Sequence, residues 1–342
     1  MKTVNVGVVG LGFMGVTHLR AYQQIPGVRI AAICDAICLP EDGDFSKIKG
    51  NVGPADPLKL DMTGVKATRN MEDLLADPAI DLIDLCVPTL AHPKLAVAAL
   101  KAGKHVVCEK PLARDVAAAR EIVTAVDEAK GFFMPAMCIR FWPQWLWVKE
   151  AIRTQAYGRV LSARFRRVSE PPRWNPTFLD GAKSGGALLD LHVHDLDFVQ
   201  YCFGAPKAVY ATGYSLLSGA IDHVLAQYTV ECGASVSAEG GWAMSEGFGF
   251  NMEYTVVFER GTVDYDLARG AEALKLFQPG QPSQVISLEG DGYVGELTHM
   301  IECIREGHAP TVVTARDAAR AIQICEAEEE SIRTGKIVPL VW

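Results

Sequence analysis

The N-terminal segment holds the feature that most constrains the fold of this chain. An apolar run, Val4–Val9, ends in Gly10-Leu11-Gly12-Phe13-Met14-Gly15, and an amphipathic stretch follows directly. In this pattern the first glycine permits a tight turn, the second lets the main chain approach a diphosphate, and the third lets a helix pack on the strand. The N–H groups of the first helical turn, at Phe13 and Met14, are then expected to face the diphosphate oxygens. The sequence therefore predicts a strand, turn and helix that bind a dinucleotide.

Residues 1–137 alternate short apolar runs with helical patterns. The predicted strands are Val4–Val9, Arg29–Cys34, Leu82–Val87, His105–Cys108 and Phe132–Ala136. The predicted helices are Met14–Ile25, Met71–Ala76, His92–Ala102 and Asp115–Lys130. Such alternation is typical of a parallel sheet of the Rossmann type. The Gly-, Pro- and Asp-rich stretch from Asp42 to Thr63 has no clear period, and we expect a long loop beside the cofactor site.

The pattern changes in residues 138–342. The predicted elements are a helix Pro143–Thr154, a strand Arg159–Val168, a helix Gly186–Phe203, consecutive strands from Ala208 to about Leu288, and closing helices Val294–Glu306 and Ala315–Thr334. Within Phe250–Glu259, Met252, Tyr254 and Val256 alternate with polar residues, which indicates an antiparallel sheet with one covered face. The predicted fold class is α/β: an N-terminal Rossmann parallel sheet (1–137) and a C-terminal α+β domain (138–342) with a large open, mostly antiparallel sheet for substrate binding and oligomerisation. The last helix is expected to pack back on the Rossmann domain.

The residue that ends the second predicted strand indicates which dinucleotide binds. Asp35 lies 20 residues after Gly15, where a carboxylate is expected to hydrogen-bond the adenosine ribose hydroxyls. A carboxylate there repels a 2′-phosphate, and the next residues, Ala36 and Ile37, provide no arginine to offset it. NAD is therefore favoured over NADP as the cofactor.

Composition excludes several classes of function. The 342-residue chain carries a net charge of −8, which argues against a nucleic-acid partner. No apolar run reaches the about 20 residues that a membrane helix needs. The N-terminus leads almost at once into the first strand, with no sign of a signal peptide. Nine cysteines without a C-x-x-C pair or zinc spacing are expected to be small buried side chains in a reducing cytoplasm, and no metal site is predicted.

Two further motifs carry candidate catalytic residues. Glu109-Lys110-Pro111 follows a predicted strand, which places Lys110 at the carboxyl edge of the parallel sheet, where ligands bind. On the predicted helix Gly186–Phe203, Asp190 and His194 are four residues apart and share a face. An Asp beside a His can fix its tautomer for general-base work. The motifs alone leave open a solvated lysine and a buried histidine satisfied by its neighbour.

A metal site at His192, His194 and Asp195 is disfavoured because His192 and His194 point to different helix faces.

Taken together, these residues resemble the Gfo/Idh/MocA oxidoreductase family, which includes glucose–fructose oxidoreductase and inositol dehydrogenase. The resemblance spans the chain through Gly10–Gly15, Pro88–His92, Glu109-Lys110-Pro111, Gly185–His194 and the closing helices. It implies a Rossmann domain followed by an α/β domain with a large open sheet, and association into homodimers or homotetramers.

The resemblance also implies roles for individual residues. Lys110 would hold and polarise the reacting hydroxyl while contacting the cofactor, His194 would be the acid/base, and Asp190 its partner. The remaining residues implied to lie along the cofactor are Pro88, Thr89, His92 and Glu109. The candidates to line the substrate pocket are Arg140, Trp142, Arg167, Trp174 and His192. The last of these stands where relatives often have glycine, a departure that alters the pocket.

Three functions remain open at this point. The first is a cytoplasmic NAD-dependent dehydrogenase, in which His194 takes the proton of a sugar or polyol hydroxyl while hydride passes to the nicotinamide. The second is an NAD-dependent glycosidase that oxidises a sugar transiently, and the third is a non-catalytic NAD-binding sensor. The presence of Lys110, Asp190 and His194 argues against a sensor, which needs no acid/base set.

Overall fold

A computed structural model describes residues 2–48 and 57–342 of the chain. The chain divides into two compact units, one of Met1–Phe141 with Asp291–Ala319, the other of Trp142–Gly290 with Arg320–Trp342. Residues 49–56 of the predicted loop at Asp42–Thr63 lie outside the described residues. In the described part of that stretch, Asp44 and Lys59 form a β-bridge and Phe45 is buried. In the described ranges no helix is both long and apolar enough to cross a membrane.

The secondary structure follows the chain in this order. The strands are β1 Val4–Val9, β2 Val28–Cys34, β3 Lys66–Thr68, β4 Leu82–Leu85, β5 His105–Glu109, β6 Phe133–Ala136, β7 Val160–Ser169, β8 Ala208–Tyr214, β9 His223–Thr229, β10 Ser235–Gly241, β11 Phe250–Phe258, β12 Gly261–Asp266, β13 Leu274–Phe277, β14 Gln284–Val285 and β15 Val338–Pro339. The helices are α1 Phe13–Tyr22, α2 Glu72–Leu75, α3 His92–Lys101, α4 Val116–Glu128, α5 Pro143–Arg153, α6 Gly181–Ser184, α7 Gly186–Asp190, α8 Val193–Phe203, α9 Gly292–Glu306 and α10 Ala315–Thr334.

The first unit contains the predicted parallel sheet. Its strands are ordered β3-β2-β1-β4-β5-β6 over the described residues, and every pair is parallel. Val4, Val6 and Val8 of β1 are fully buried, as expected for a strand covered on both faces. The predicted Rossmann fold is confirmed. Strand β3 was not predicted, because its three residues lie at the sheet edge and carry no apolar run.

The second unit contains a large sheet with one covered face. Its order is β14-β13-β12-β11-β7-β10-β9-β8-β15 within the described part of the chain, and of these pairs only β7 and β10 run parallel. Alternate residues of β11 are buried. On that face Tyr254 packs edge-on against Trp145 of α5, with ring centroids 5.0 Å apart. The other face carries partly exposed ion pairs such as Arg166 with Glu239. The predicted mostly antiparallel sheet is therefore confirmed.

The prediction of one helix over Gly186–Phe203 is wrong. The structure has α7, a turn at Leu191 and His192, and then α8. The N–H of His192 bonds the carbonyl of Ala187, five residues back, and that of Asp195 bonds the carbonyl of His192, three residues back. Neither bond has the four-residue spacing of an α-helix, so the helix is interrupted here. The buried position of the His192 side chain explains the interruption, as shown below.

Candidate functional site

The Gly-rich turn has a shape that leaves room for a diphosphate. Gly10 has φ of +90°, and a Cβ there would lie 2.4 Å from the carbonyl oxygen of Cys86. A Cβ at Gly15 would lie 2.0 Å from the carbonyl oxygen of Gly10, whereas at Gly12 no atom lies within 4 Å. The turn is therefore packed tightly inward and open at Gly12, where α1 begins and the N–H groups of its first turn point out of the helix end. These residues fit the diphosphate of NAD.

Asp35 connects the end of β2 to this turn. Its Oδ2 accepts a hydrogen bond from the N–H of Leu11 at 2.8 Å, and its Oδ1 accepts from Ile37 and Cys38. The carboxylate thus lies beside the Gly-rich turn, as a ribose-binding residue must. Arg69, which the sequence analysis did not consider, also lies at this edge and donates to the carbonyl of Ile37 at 3.2 Å. Only the strand order reveals it, because Arg69 follows β3, the neighbour of β2.

The loops after β4 and β5 are bound to each other by His92. Its side chain is 1% exposed, with Nε2 2.8 Å from the carbonyl oxygen of Val87 and Nδ1 2.9 Å from that of Pro111. Burial lowers the pKa of His92. Pro88 is exposed and Thr89 half-buried, at the start of a short 3-10 helix that leads into α3. We conclude that His92 contacts the protein's own main chain at both ring nitrogens, while Pro88 and Thr89 face outward.

Lys110 lies at the carboxyl end of β5 and is half-buried. Its N–H donates to Oε2 of Glu109 at 2.9 Å. From β1 the strand order continues through β2 and β3 to one edge of the sheet, and from β4 it continues through β5 and β6 to the other edge. The topological switch point of the sheet therefore lies between β1 and β4. Gly10, Pro88 and Lys110 each follow one of the adjacent strands β1, β4 and β5 at this edge. The Rossmann sheet thus brings the dinucleotide turn and the candidate lysine to the edge where such folds bind ligands.

A buried polar cluster adjoins this edge, and the sequence analysis did not single it out. His18 of α1 is fully buried, with Nδ1 2.8 Å from Oδ2 of Asp84 and Nε2 3.1 Å from Oε1 of Glu109. Glu296 of α9 is also fully buried, 3.8 Å from the same Nε2. Burial raises the pKa of Glu296 well above its usual value. The available signal was His18 itself, a polar residue on the face of α1 that packs on the sheet.

The second unit carries the other candidate catalytic residues at the interruption between α7 and α8. Gly185 and Gly186 have φ of +82° and +72°, and a Cβ at Gly186 would lie 2.5 Å from the carbonyl oxygen of Ile221. This explains the paired glycines before α7. Asp190 ends α7 and is half-buried, and His194 in the first turn of α8 is 9% exposed. Because the interruption falls between them, spacing on one helix no longer argues for their pairing, which stays a prediction.

His192 is fully buried in a network of its own. Its Nε2 lies 3.2 Å from the hydroxyl of Tyr228 and 3.3 Å from Oε2 of Glu328, and that hydroxyl donates to Oε1 of Glu328 at 2.6 Å. Gly240 of β10 faces the ring, since a Cβ there would lie 2.6 Å from Cβ and Nδ1 of His192. These contacts hold the side chain inward and fix the turn between α7 and α8.

The other candidate pocket residues are placed differently. Arg167 is buried, and its Nε donates to Oδ2 of Asp195 at 2.7 Å. Arg140 belongs to the first unit, is buried, and donates to the carbonyl of Val312 at 2.7 Å. Trp142 is half-buried before α5, and Trp174 is exposed with its ring 5.0 Å from that of Phe178. Arg140, Arg167 and His192 thus have contacts within the protein, and their role toward a substrate stays a prediction.

Comparison with known proteins matches both units of the chain. Residues 4–137 match the family model described as "Oxidoreductase family, NAD-binding Rossmann fold", and residues 145–264 match the C-terminal domain model of the same GFO/IDH/MocA family.

Individual relatives resemble the chain more distantly. Myo-inositol 2-dehydrogenase of Thermotoga maritima is 25% identical over 352 aligned positions, which cover 98% of each chain. Levoglucosan dehydrogenase of Pseudarthrobacter phenanthrenivorans is 30% identical over 62% of this chain and 54% of its own length. A solved structure of levoglucosan dehydrogenase with NADH and L-sorbose superposes with a TM-score of 0.85 at 23% identity, covering 99% of both chains. At that identity the superposition establishes the fold.

Proposed function

Because the chain belongs to the Gfo/Idh/MocA family of NAD-binding oxidoreductases, we propose that it transfers hydride between NAD and a secondary hydroxyl or ketone of a sugar, inositol or related polyol. The observation that carries the proposal is the shared edge of the Rossmann sheet, where Lys110 follows β5 and the Gly-rich turn follows β1. The relatives named for inositol and levoglucosan support the substrate class.

The chain's own residues divide the work as follows. The N–H groups at Gly12–Met14 bind the diphosphate, and Asp35 binds the adenosine ribose. Lys110 donates a hydrogen bond to the reacting oxygen and stabilises its negative charge as the proton leaves. His194 accepts that proton, and Asp190 orients the imidazole and stabilises its cationic form. NAD, when bound, supplies the hydride acceptor for oxidation and the donor for reduction.

A substrate screen tests this proposal. Sugars, inositols and sugar acids are offered with NAD, and NADH is followed by absorbance; we expect turnover with at least one of them. Lys110→Met at equal concentration is the control, because it keeps the aliphatic stem and removes the charge. Cleavage of a glycoside without net NADH would instead favour transient oxidation by an NAD-dependent glycosidase. No turnover with any member of the three classes, in a protein that binds NAD, would contradict the proposal.

We also propose that the open face of the second unit's sheet is buried in a homodimer or homotetramer. The face has partly exposed apolar side chains, among them Tyr210 and Leu225, together with the ion pairs of Arg164 and Arg166. Light scattering should give a mass of two or four times 37.1 kDa at micromolar concentration. A 37.1 kDa monomer would contradict this proposal and leave the catalytic one untouched.

A further inference from the structure

The histidine of the buried cluster in the first unit has a carboxylate at each ring nitrogen. Nδ1 of His18 lies 2.8 Å from Asp84, and Nε2 lies 3.1 Å from Glu109. All three side chains are buried. Nδ1 of His18 makes a hydrogen bond to Asp84, whereas Nε2 lies within ion-pair distance of Glu109 without hydrogen-bond geometry. A cation next to two buried carboxylates is stabilised by both charges, which favours the imidazolium here.

The groups around His18 support this protonation state. Burial is the largest single effect and lowers the pKa of His18, but Asp84 and Cys86 together raise it by more, and the pKa lies well above its usual value. Burial raises the pKa values of the thiol of Cys86 and the hydroxyls of Tyr22 and Tyr293, so these three are uncharged near neutral pH. Burial also raises the pKa of the Glu296 carboxyl. The titratable groups that face His18 are Tyr22 on α1, Asp84 on β4, Cys86 after it, Glu109 on β5, and Tyr293 and Glu296 on α9.

Glu109 carries the effect of His18 to the candidate catalytic lysine. One oxygen of its carboxylate faces Nε2 of His18, and the other accepts the N–H of Lys110 at 2.9 Å. A carboxylate without this cation would be buried and uncompensated, and it would be free to rotate about its terminal bond. The orientation of Glu109 therefore depends on His18, and the main chain at Lys110 depends on Glu109.

We propose that Asp84, His18 and Glu109 are positioning residues. They form a buried carboxylate–imidazolium–carboxylate triad that fixes the backbone of Lys110 for the hydride-transfer reaction. The kinetic part rests on the proposed function; the protonation and main-chain parts do not. The three side chains act through Lys110, because the carboxylate oxygens of Glu109 face His18 and the Lys110 N–H. An increase in the Kd for NAD in the Glu109 variant described below would instead mean that Glu109 contacts the cofactor, as the family resemblance implies. The triad also links α1, β4 and β5, so the helix that begins at the dinucleotide turn and the catalytic loop share one set of contacts.

The same atoms could in principle hold a metal ion, since those of His18, Glu109 and Glu296 lie within 4.8 Å of one another. A metal at Nε2 would replace the proton and would need ligand distances of about 2.0–2.2 Å. The 3.1 Å between Nε2 of His18 and Oε1 of Glu109 suits an imidazolium paired with a carboxylate, and it also suits two ligands of one ion. Metal analysis of the purified protein separates the two cases: we expect no stoichiometric metal, and one equivalent that His18→Gln removes would overturn the proposal.

The protonation state is measured without any substrate. The ring nitrogens are observed by NMR in protein labelled with 15N-histidine, and His18→Gln identifies the signals of His18. At about pH 8, where an ordinary histidine with a pKa near 6.5 is neutral, His18 should still carry both ring protons. A neutral His18 at about pH 7 would overturn the proposal.

The main-chain effect is measured by hydrogen exchange of the Lys110 amide. In His18→Gln this amide should exchange at least about tenfold faster, since its acceptor is no longer fixed. The amide of Leu11, which bonds Asp35 instead, is the internal control and should be unchanged. Equal acceleration at both amides would indicate general loosening and would count against the proposal.

The kinetic effect is measured with a Glu→Gln substitution at Glu109 and, as a control, at Glu296. Glu109→Gln should lower single-turnover hydride transfer by about tenfold or more, with the Kd for NAD within about twofold, because the loss is in orientation of the reacting group. Glu296→Gln, in the same cluster but 3.8 Å from His18 and without contact to Lys110, should stay within about twofold in rate. A wild-type rate in folded Glu109→Gln would overturn the kinetic claim. Failure of the substrate screen alone would instead count against the proposed function.

Discussion

His18 and His192 are both fully buried, one in each unit, but they are stabilised in different ways. His18 has a carboxylate at each ring nitrogen, so the charges of Asp84 and Glu109 are compensated by the charge of the imidazolium. His192 has Tyr228 and Glu328 at Nε2, while its Nδ1, which has no hydrogen-bond partner among the described residues, lies against Gly240. The first site should therefore be sensitive to charge and pH, and the second to volume. Each stands beside a candidate catalytic residue, Lys110 or His194, so the contrast extends to function.

The largest expected effects are on catalysis, and they compare the two units directly. His194→Asn removes the proton acceptor and should lower single-turnover hydride transfer by about 10²–10⁴-fold. Lys110→Met removes the charge at the reacting oxygen and should lower it to a similar extent. Asp190→Asn should cost less than His194→Asn, because the imidazole remains. All three should bind NAD normally by calorimetry, since the Gly-rich turn and Asp35 are intact.

Thermal melts of the same proteins distinguish a catalytic from a structural role. If His194 only satisfies the protein core, His194→Asn will lose melting temperature and soluble yield without a specific kinetic defect. Normal hydride transfer in folded Lys110→Met would leave the first unit as a cofactor-binding site alone.

Cofactor choice is the next largest effect and is determined at the edge of the first unit. Asp35→Ser removes the charge that repels a 2′-phosphate, and Arg69, close to Ile37, can then reach it. The preference for NADH over NADPH, measured as a ratio of Kd values, should fall by about tenfold or more. Adding Ala36→Arg should lower the preference for NADH further or reverse it in favour of NADPH.

Arg69 provides the control for this prediction. In Asp35→Ser with Arg69→Gln, the gain in NADPH affinity should largely disappear while NADH affinity stays unchanged. A wild type that binds NADPH more tightly than NADH would refute the role of Asp35.

The contrast between the units also explains what the sequence could predict. The Rossmann sheet, the Gly-rich turn and the place of Lys110 follow from local patterns, since apolar runs set the strands and a parallel topology puts their carboxyl ends at one edge. The contact of Arg69 with the chain after β2 needed the strand order β3-β2, and β3 has no apolar run to reveal it. The partners of His18 come from β4, β5 and α9, and no spacing in the sequence relates them.

The second unit was harder to predict for the same reason. A helical pattern runs through Gly186–Phe203, and the turn at Leu191 and His192 is imposed by Tyr228 of β9 and Glu328 of α10. These partners are 36 and 136 positions away in the chain. Tertiary contacts therefore overrode the local preference for helix.

A double-mutant cycle tests the claim that the His192 site depends on volume. Gly240→Ala places a methyl group 2.6 Å from the imidazole and should destabilise the protein by about 1–3 kcal/mol in chemical denaturation. In His192→Gly both the ring and the Cβ that meet the new methyl group are gone, so adding Gly240→Ala should cost much less than it does in the wild type. The coupling should be absent for Gly213→Ala, which meets the carbonyl of His223 instead. Additive costs for the His192–Gly240 pair would contradict direct packing.

The smallest expected effect is a change in how stability depends on pH, and it tests the charge-balanced site. Burial raises the pKa of Glu296 above its unfolded value; the charge of His18 opposes this, and the charges of Glu109 and Asp84 add to it. A raised carboxyl pKa contributes stability fully below the unfolded value of about 4.3, and that contribution is lost as pH rises toward the folded pKa. Glu296→Gln cannot ionise in either state. Its free energy of unfolding relative to wild type should therefore increase as pH rises from about 4 to 8.

The matched substitution Glu328→Gln shows whether this behaviour belongs to the first site. Glu328 is equally buried, but it accepts the hydroxyl of Tyr228 at 2.6 Å and lies 3.3 Å from His192, so the substitution replaces one of these two carboxylate oxygens by an amide NH2. Near neutral pH we expect Glu328→Gln to lower the free energy of unfolding. In the same pH range the free energy of unfolding of Glu296→Gln should rise relative to that of the wild type. The measurement is urea denaturation of the three proteins at several pH values. A difference between Glu296→Gln and wild type that stays constant with pH would mean that Glu296 ionises normally in the folded protein. The buried cluster around His18 would then contain a third carboxylate charge, and charge balance would no longer explain its contacts.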